Sequence, residues 1–314
     1  MSTEQSGGTG ASRRSVLTAG LLVAAGTPLL SSLATGTAHA TGANDRFASN
    51  TELYKYFRGT ADTADGEGYD FGRRYKRHEL LDSEKATTGP SALTTILAIH
   101  GGGIEIGTSE LCLGVAGYNP NPNPKPEDGP LLFPGGPLYD YWMFEGMRSS
   151  GQTYPDGSPK TNGELHVTSI HCDDHVALSM TAGSLNTLSL HGCTWENANP
   201  GKVWSGQNRE GVVIGGRSTA LKQRLTHHLS PHFAIFPGDG DVDGTATANI
   251  CNRTMLGEGA QLELTTELRK SLFVDSSSAT KRAETWNTRF KLFAAACRSA
   301  VADVEATQRA ARLL

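Results

Sequence analysis

Apolar residues along the chain occur in short runs, separated by glycine, proline and polar residues. The two most apolar runs, 91–100 and 185–191, are continuous rather than alternating, which is typical of central parallel strands covered on both faces. Further strands are predicted at 69–77, 164–171, 211–216 and 260–264, and residues 139–146 are expected to return to the core. The pattern therefore predicts a sheet with several buried strands.

Helical patterns fall between these runs. They are predicted at 52–57, 108–116, 174–181 and 219–229, and as one long helix from about 279. In the last, the apolar positions from Trp286 to Val304 step by three or four residues and form one stripe. Thr108 is the expected N-cap of the second helix. Strands that alternate with helices predict an α/β fold: a single domain with a mixed, mostly parallel sheet and helices on both faces.

One segment, 118–137, departs from this alternation. Its start, 119–126, alternates proline with polar residues, so it cannot be helical and should be extended. We expect 118–137 to be a surface excursion. Because it follows the first candidate site along the chain, it could reshape a substrate groove.

The first forty residues have the organisation of an export signal. Arg13 and Arg14 precede an apolar stretch, 17–33, which is followed by the small-residue sequence Ala38-His39-Ala40. The paired arginines indicate the twin-arginine route, which carries folded proteins. A membrane anchor is the weaker alternative, since the uninterrupted apolar run is shorter than the roughly 20 residues that a span needs. We expect a secreted protein whose mature domain is 41–314.

Composition narrows the class of protein. Of 314 residues, 37% are hydrophobic and 19% charged, which excludes a disordered chain. The net charge is −4, and without residues 1–40 there are 26 basic and 31 acidic residues. A nucleic-acid partner is not expected of an acidic chain, and the mature form has no membrane span. Five cysteines without a C-x-x-C pair allow one disulfide at most and argue against a cysteine-based zinc site.

Two predicted strands end in a histidine that is followed by glycine. His100 precedes three glycines, Ile104 and Glu105, and His191 precedes Gly192. The glycines allow the chain to turn so that Glu105 comes back beside His100. Either histidine alone would more commonly be structural. Together, two imidazoles and one carboxylate form the ligand set of a catalytic zinc, with a fourth position open to water.

A zinc hydrolase also needs a proton acceptor and a cation near the developing oxyanion. Glu263, between Leu262 and Leu264 in a predicted strand, is the candidate base, although it could instead face solvent from an edge strand. The candidate cations are Arg217 and Arg253, which follow turn-like segments. Arg269 also qualifies, but we expect it on a helix surface.

These segments occur in the order seen in a known family. The sequence His100-Gly-Gly-Gly-Ile-Glu105 is followed by Phe144-Glu145-Gly146, Leu165-His166-Val167-Thr168-Ser169, Leu190-His191-Gly192, Ile214-Gly215-Gly216-Arg217, Ile250-Cys251-Asn252-Arg253 and Gln261-Leu262-Glu263-Leu264. Over about residues 50–275 the chain thereby resembles the poly-γ-glutamate hydrolases of phages and bacteria, which have a zinc-carboxypeptidase-like fold.

The resemblance implies zinc ligands at His100, Glu105 and His191, with Glu263 as general base and arginines that bind substrate carboxylates. It implies a hydrolase that cuts an anionic γ-glutamyl polymer, and we separately expect the protein to be a monomer. Two alternatives stay open: a zinc amidase acting on peptidoglycan γ-glutamyl bonds or N-acyl amino acids, and a non-catalytic protein that binds a polymer.

Overall fold

The computed structural model describes residues 45–58, 65–78, 93–238 and 240–311. The predicted export signal, 1–40, lies outside the described residues, so both its presence and secretion stay predictions. No helix of the described part is long and apolar enough to cross a bilayer.

Seven strands form one sheet. They are β1 (Phe71–Lys76), β2 (Thr94–Gly102), β3 (Asp140–Gly146), β4 (Asn186–Cys193), β5 (Val212–Gly216), β6 (Ile235–Phe236) and β7 (Ala260–Thr265). Their order across the sheet is β1-β3-β2-β4-β7-β5-β6. Four neighbouring pairs are parallel, and the pairs β1–β3 and β5–β7 are antiparallel. The predicted mixed, mostly parallel sheet is confirmed.

The chain changes direction across the sheet at β2. It continues from β2 to β3 on one side and then returns to β4 on the other. In open α/β sheets, binding sites form at such a switch point, beyond the carboxyl ends of the strands. Here those ends carry His100 and His191.

Helices cover both faces of the sheet. They are α1 (Asn50–Arg58), α2 (Thr108–Ala116), α3 (His175–Ala182), α4 (Trp195–Ala198), α5 (Thr219–Leu229), α6 (Thr266–Ser271), α7 (Ala279–Glu284) and α8 (Thr288–Ala310). Successive β2 side chains enter different cores: Ile96 and Ala98 pack with α2, α5 and α8, whereas Leu97 and Ile99 pack with α1 and α3. This two-sided burial explains why β2 is continuously apolar.

The predicted strand at 164–171 is wrong. Two 3₁₀ turns, Asn162–Leu165 and Ser169–His171, occupy this segment. Between them, the Thr168 backbone N–H donates to Oδ2 of Asp45 at 2.7 Å. The Asp45 carboxylate thus accepts a hydrogen bond from the backbone N–H that would pair with a neighbouring strand in a sheet.

The predicted C-terminal helix is interrupted between α7 and α8. The interruption pairs with residues before α7, since Val274 N–H donates to Thr285 O at 2.8 Å and Asn287 N–H donates to Leu272 O at 3.1 Å. The Asn287 side chain then caps α8 by accepting from Arg289 N–H at 2.9 Å. The helix α2 also has a different N-cap, Gly107 instead of Thr108.

All five cysteines are buried and unpaired, so no disulfide forms among them. The excursion 118–137 joins α2 to β3. Its two ends are held together, because Leu132 N–H donates to Gly117 O and Asn119 N–H donates to Pro130 O, both at 3.0 Å.

Candidate metal centre

The predicted ligands meet where β2 and β4 end. A short turn brings Glu105 back to its strand, since Glu105 N–H donates to His100 O at 2.9 Å. Gly102 has a φ of 65°, and a Cβ at this position would collide with the carbonyl oxygen of Gly146. The triple glycine is therefore required both for the turn and for its close approach to β3.

Three donor atoms converge at this point. Nδ1 of His100 lies 2.9 Å from Oε1 of Glu105 and 3.3 Å from Nδ1 of His191. One ligand atom from each residue lies within 4.8 Å of the others. Glu105 is fixed further by its Oε2, which accepts from Gly192 N–H at 2.7 Å. A loop residue and two strand ends thus form one cluster.

In each histidine ring, the hydrogen bond made by Nε2 determines whether Nδ1 carries a proton or a lone pair. Nε2 of His100 lies 2.9 Å from the carbonyl oxygen of Val167, which can only accept, so Nε2 carries a proton. Nε2 of His191 lies 2.7 Å from Ser189 Oγ. When Ser189 Oγ accepts from Nε2 of His191, the Nδ1 atoms of both neutral rings present lone pairs toward Glu105. One proton can satisfy only part of these three electron-pair donors, the two Nδ1 atoms and the Glu105 carboxylate. A divalent cation can bind all three, so the ligand set fits a metal ion.

Two of the three ligands are in the charge state that zinc binding requires. At the third, burial lowers the pKa of His100, but the Glu105 carboxylate outweighs burial and raises that pKa, so a metal ion must displace a proton from this ring. Burial lowers the pKa of His191 to about 3, so this ring is neutral. Burial acts against ionisation of Glu105, but His100 beside it lowers the pKa of Glu105 to about 2. A neutral imidazole and an ionised carboxylate are the forms that bind zinc.

Glu263 lies next to the cluster. It is opposite His191 in the β4–β7 register, and it is 7% exposed, so the solvent-facing alternative is wrong. Its Oε1 accepts from Gln261 Nε2 at 3.1 Å, and Oε1 of Gln261 accepts from Asn249 Nδ2 at 2.8 Å. Burial and the nearby Glu105 carboxylate raise the pKa of Glu263 to about 8.

A cavity of about 150 Å³ opens onto these residues. Its lining comprises His100, Glu105, His166, Thr168, Ser169, Ile170, His191, Gly192, Cys193, Asn197, Val242, Gly244, Asn249, Gln261 and Glu263. No residue of 118–137 is among them, so the expected reshaping of the groove by the excursion is not seen at this cavity. Within the described residues, the lining contains no lysine or arginine.

His166 and its partner Asp45 form the wall beside His100. The two histidine rings stack with centroids 3.9 Å apart, and Nδ1 of His166 lies 2.6 Å from Oδ1 of Asp45. Asp45 also accepts from the backbone and hydroxyl of Thr168. Although burial opposes it, these hydrogen bonds lower the pKa of Asp45 to about 2. An ionised residue near the start of the described chain thus holds one side of the cavity.

The three arginines differ from expectation. Arg217 and Arg253 are exposed and do not line the cavity; Nη1 of Arg217 donates to Thr245 O at 3.4 Å. Arg269, expected on the surface, is 6% exposed. The helix α6 is only six residues long and places this side chain beneath Gly192, which the helical pattern alone does not reveal.

Several cavity residues escape analysis of the sequence. Gln261 could have been found, because residues two apart in a strand share a face and it precedes Glu263 by two. His166 is one of two histidines in a segment predicted as strand, where a core role is the simpler interpretation. Asp45, in a polar arm 121 residues earlier, gives no local signal.

The fold and the cluster together define a class: an α/β protein with a two-histidine, one-glutamate centre at the carboxyl edge of its sheet. The chain belongs to the poly-γ-glutamate hydrolase family, whose profile matches residues 138–296. The match includes His191 and Glu263, and β2 with His100 precedes it.

Two relatives from Bacillus subtilis strain 168 are similar over much of the chain. UPF0714 protein YndL is 32% identical over 202 residues, which are 63% of this chain and 63% of YndL. The SPbeta prophage-derived UPF0714 protein YoqZ is 27% identical over 210 residues, 64% of this chain and 61% of YoqZ. The chain thus spans less than two thirds of the length of these relatives.

Two solved structures share the fold. A bacteriophage poly-γ-glutamate hydrolase aligns with a TM-score of 0.60 at 23% identity and covers 84% of this chain and 100% of its own. A zinc-free form of YndL aligns with a TM-score of 0.58 at 26% identity and covers 83% of this chain and 99% of its own. Both alignments extend ahead of residue 138 and support the single α/β architecture.

Proposed function

We propose that this chain is a secreted, zinc-dependent amidohydrolase that cleaves γ-glutamyl amide bonds, with poly-γ-glutamate as its substrate. His100, Glu105 and His191 would hold the zinc, and Glu263 would act as general base. We further propose that the mature chain, 41–314, acts as a monomer.

One observation carries the proposal. Two imidazole Nδ1 atoms and a carboxylate converge within 4.8 Å, and a second buried carboxylate, Glu263, borders the same cavity. The two carboxylates have different environments, since Glu105 is paired with His100, whereas the side chain of Glu263 is hydrogen-bonded only to the amide of Gln261 among the described residues. This difference in environment distinguishes Glu105, the proposed metal ligand, from Glu263, the proposed group that carries the proton.

When bound, zinc supplies Lewis acidity that lowers the pKa of a water and polarises a carbonyl. In its ionised form, which a bound divalent cation would favour, Glu263 accepts the proton of the attacking water as the carbon–oxygen bond forms. It then donates this proton to the leaving nitrogen as the amide carbon–nitrogen bond breaks. The hydrogen bond from Gln261 fixes Oε1 of Glu263, which leaves Oε2 to carry the proton.

The substrate class follows from family membership and from charge. Each unit of a γ-glutamyl chain keeps one free α-carboxylate, so binding requires local positive charge in an acidic protein. The cavity itself has no lysine or arginine in its described lining. Arg217 and Arg253 are therefore proposed to contact substrate carboxylates, and a role for either at the oxyanion stays a prediction. The names of the phage hydrolase and of zinc-free YndL support the substrate and the metal respectively.

The deciding experiment measures zinc content and polymer cleavage on the same purified samples. Wild type is compared with His191→Ala and with Glu263→Gln. We expect about one zinc per chain in wild type, loss of zinc and activity in His191→Ala, and zinc without activity in Glu263→Gln.

The other outcomes are equally informative. Zinc without cleavage of poly-γ-glutamate in wild type would reject this substrate and favour a peptidoglycan or N-acyl amino acid bond. Equal polymer binding and no cleavage in all three proteins would favour a binding protein. A wild type without zinc, prepared free of chelators, would reject the ligand set.

A further inference from the structure

Arg269 is a buried cation without a carboxylate partner. It is 6% exposed, and among the described ion pairs it has none. Two other buried arginines, Arg148 and Arg282, pair with Asp70 and Glu110 respectively. The carboxylates of Glu105 and Glu263 attract this charge, but neither forms an ion pair with it among the described residues. Removing such a charge from water is costly unless several hydrogen bonds compensate, so the position of Arg269 requires an explanation.

The guanidinium group contacts the chain next to two of the metal ligands and next to the proposed base. Nη1 donates to the carbonyl oxygen of Ile106 at 2.8 Å, and Nε donates to that of Leu264 at 3.2 Å. Its Cζ lies directly against the α-carbon of Gly192, where any Cβ would collide with it. Ile106, Gly192 and Leu264 are the residues that follow Glu105, His191 and Glu263.

Three separate segments are therefore joined by one side chain. The turn after β2, the end of β4 and the end of β7 each contribute one of these contacts. A fourth contact, from Nη2 to Thr266 Oγ1 at 3.2 Å, fixes the guanidinium to its own helix. The planar fork of arginine suits this geometry, because it presents donors in several fixed directions, whereas lysine offers one compact charge.

We infer that Arg269 is a positioning residue, which sets the spacing between the two ligand segments and the segment of the general base. It contacts neither metal nor substrate. Its effect on metal binding has two parts of opposite sign. A positive charge near the centre repels a cation, whereas the hydrogen bonds hold the ligands together. Of these two effects, the hydrogen bonds that hold the ligands together outweigh the repulsion of the cation.

Zinc affinity of the full-length chain tests this, read by competition with a chromophoric chelator. The variants are Arg269→Lys, which keeps the charge and loses the fork, and Arg269→Met, which loses both. We expect zinc affinity to fall by roughly 10- to 100-fold in each, as for other residues that orient metal ligands. Wild-type affinity in Arg269→Lys, or raised affinity in Arg269→Met, would overturn the inference.

Arg298 provides a matched control. It is also buried, 8% exposed, and donates to backbone carbonyls, those of Val115 and Pro137, without a carboxylate partner in the described part of the chain. These contacts lie at the far end of α2 from the centre. We expect Arg298→Lys to lower the melting temperature but to leave zinc affinity unchanged. An equal loss of affinity in Arg298→Lys would show a general effect of stability and overturn the inference.

A second route, through Gly192, covers the case in which Arg269→Lys does not fold. Gly192→Ala pushes the guanidinium away from β4 and should weaken zinc binding. In the Arg269→Met background the space is free, so the same change should cost less. Wild-type affinity in a folded Gly192→Ala, or equal costs in the two backgrounds, would contradict the inference.

The inference rests on the metal site of the proposed function and not on its substrate. Because affinity is measured without substrate, a chain that binds zinc and cleaves no polymer still decides the role of Arg269. A wild type that binds no zinc rejects both the ligand set and this inference.

Discussion

The two walls of the cavity are built in different ways. The wall that carries the metal ligands and Glu263 consists of the ends of β2, β4 and β7, whose positions are fixed by ladder hydrogen bonds. The opposite wall, from His166 to Ile170, is irregular and is held by the side chain of Asp45. The comparison suggests that the first wall determines the chemistry and the second adjusts it, because hydrogen bonds within a sheet constrain a residue more tightly than one long-range side chain.

The largest effect should come from a metal ligand on the strand wall. His191→Ala removes one of three donors, so zinc content should fall from about one per chain to near zero, together with all measurable cleavage. Zinc by elemental analysis and polymer cleavage on the same sample check this. His228→Ala is the control, because this histidine pairs with Asp303 on α8, and it should keep both properties.

The next largest effect should come from Glu263→Gln. The amide keeps the shape of the side chain and cannot accept the proton, so kcat should fall by about 10²- to 10⁴-fold while zinc content stays at wild-type level. Glu258→Gln, at a partly exposed position, is the control and should leave kcat unchanged. A Glu263→Gln variant with wild-type kcat would remove the proposed base.

The metal ligands and Glu263 also show how much of the site can be predicted from the sequence. His100 and Glu105 are five residues apart, and the glycines between them dictate a turn, so the pair is visible in a single local motif. His191 and Glu263 are found because each belongs to an apolar strand. The register that brings them together is a property of the sheet, and apolar patterns predict strands more securely than they predict neighbours.

The opposite wall was not predictable in the same way. Its segment has alternating apolar and polar residues and was expected to be a strand, but Asp45 takes the Thr168 N–H that would pair in a sheet. Contacts over such distances along the chain leave no periodic signal. Arg269 illustrates the same limit, since a cation in a short helix is normally solvated, and only its contacts with the turn after β2 and with the ends of β4 and β7 explain its burial.

A moderate effect should follow from loosening the irregular wall. Asp45→Asn loses the charge that orients His166 and Thr168, while the strand wall is untouched. We expect kcat/KM to fall about tenfold with zinc content retained, because a small displacement of a positioning group reduces the rate without abolishing it.

The control for this variant is Asp303→Asn, which breaks another described histidine–aspartate pair of similar length, 2.9 Å to His228, far from the cavity. It should leave kcat/KM unchanged. If Asp45→Asn lowers activity as much as Glu263→Gln, the two walls are equally important and the comparison fails.

The smallest effect should come from the exposed arginines. Arg217→Ala and Arg253→Ala each remove one solvated charge, so KM for the polymer should rise only about two- to fivefold, and the rise should shrink at high salt. Steady-state kinetics at low and high ionic strength check this. A loss of kcat of about 10²-fold or more in either variant would instead assign that arginine to the oxyanion.

The five cysteines bear on where the protein can mature. All are buried and none is bonded to another, so the fold needs no oxidation step and can be completed where thiols are kept reduced. The twin-arginine route predicted by residues 12–40 moves proteins that are already folded. A chain without cross-links could thus fold and acquire its metal in the cytoplasm, and reach an oxidising exterior with its thiols already shielded from solvent.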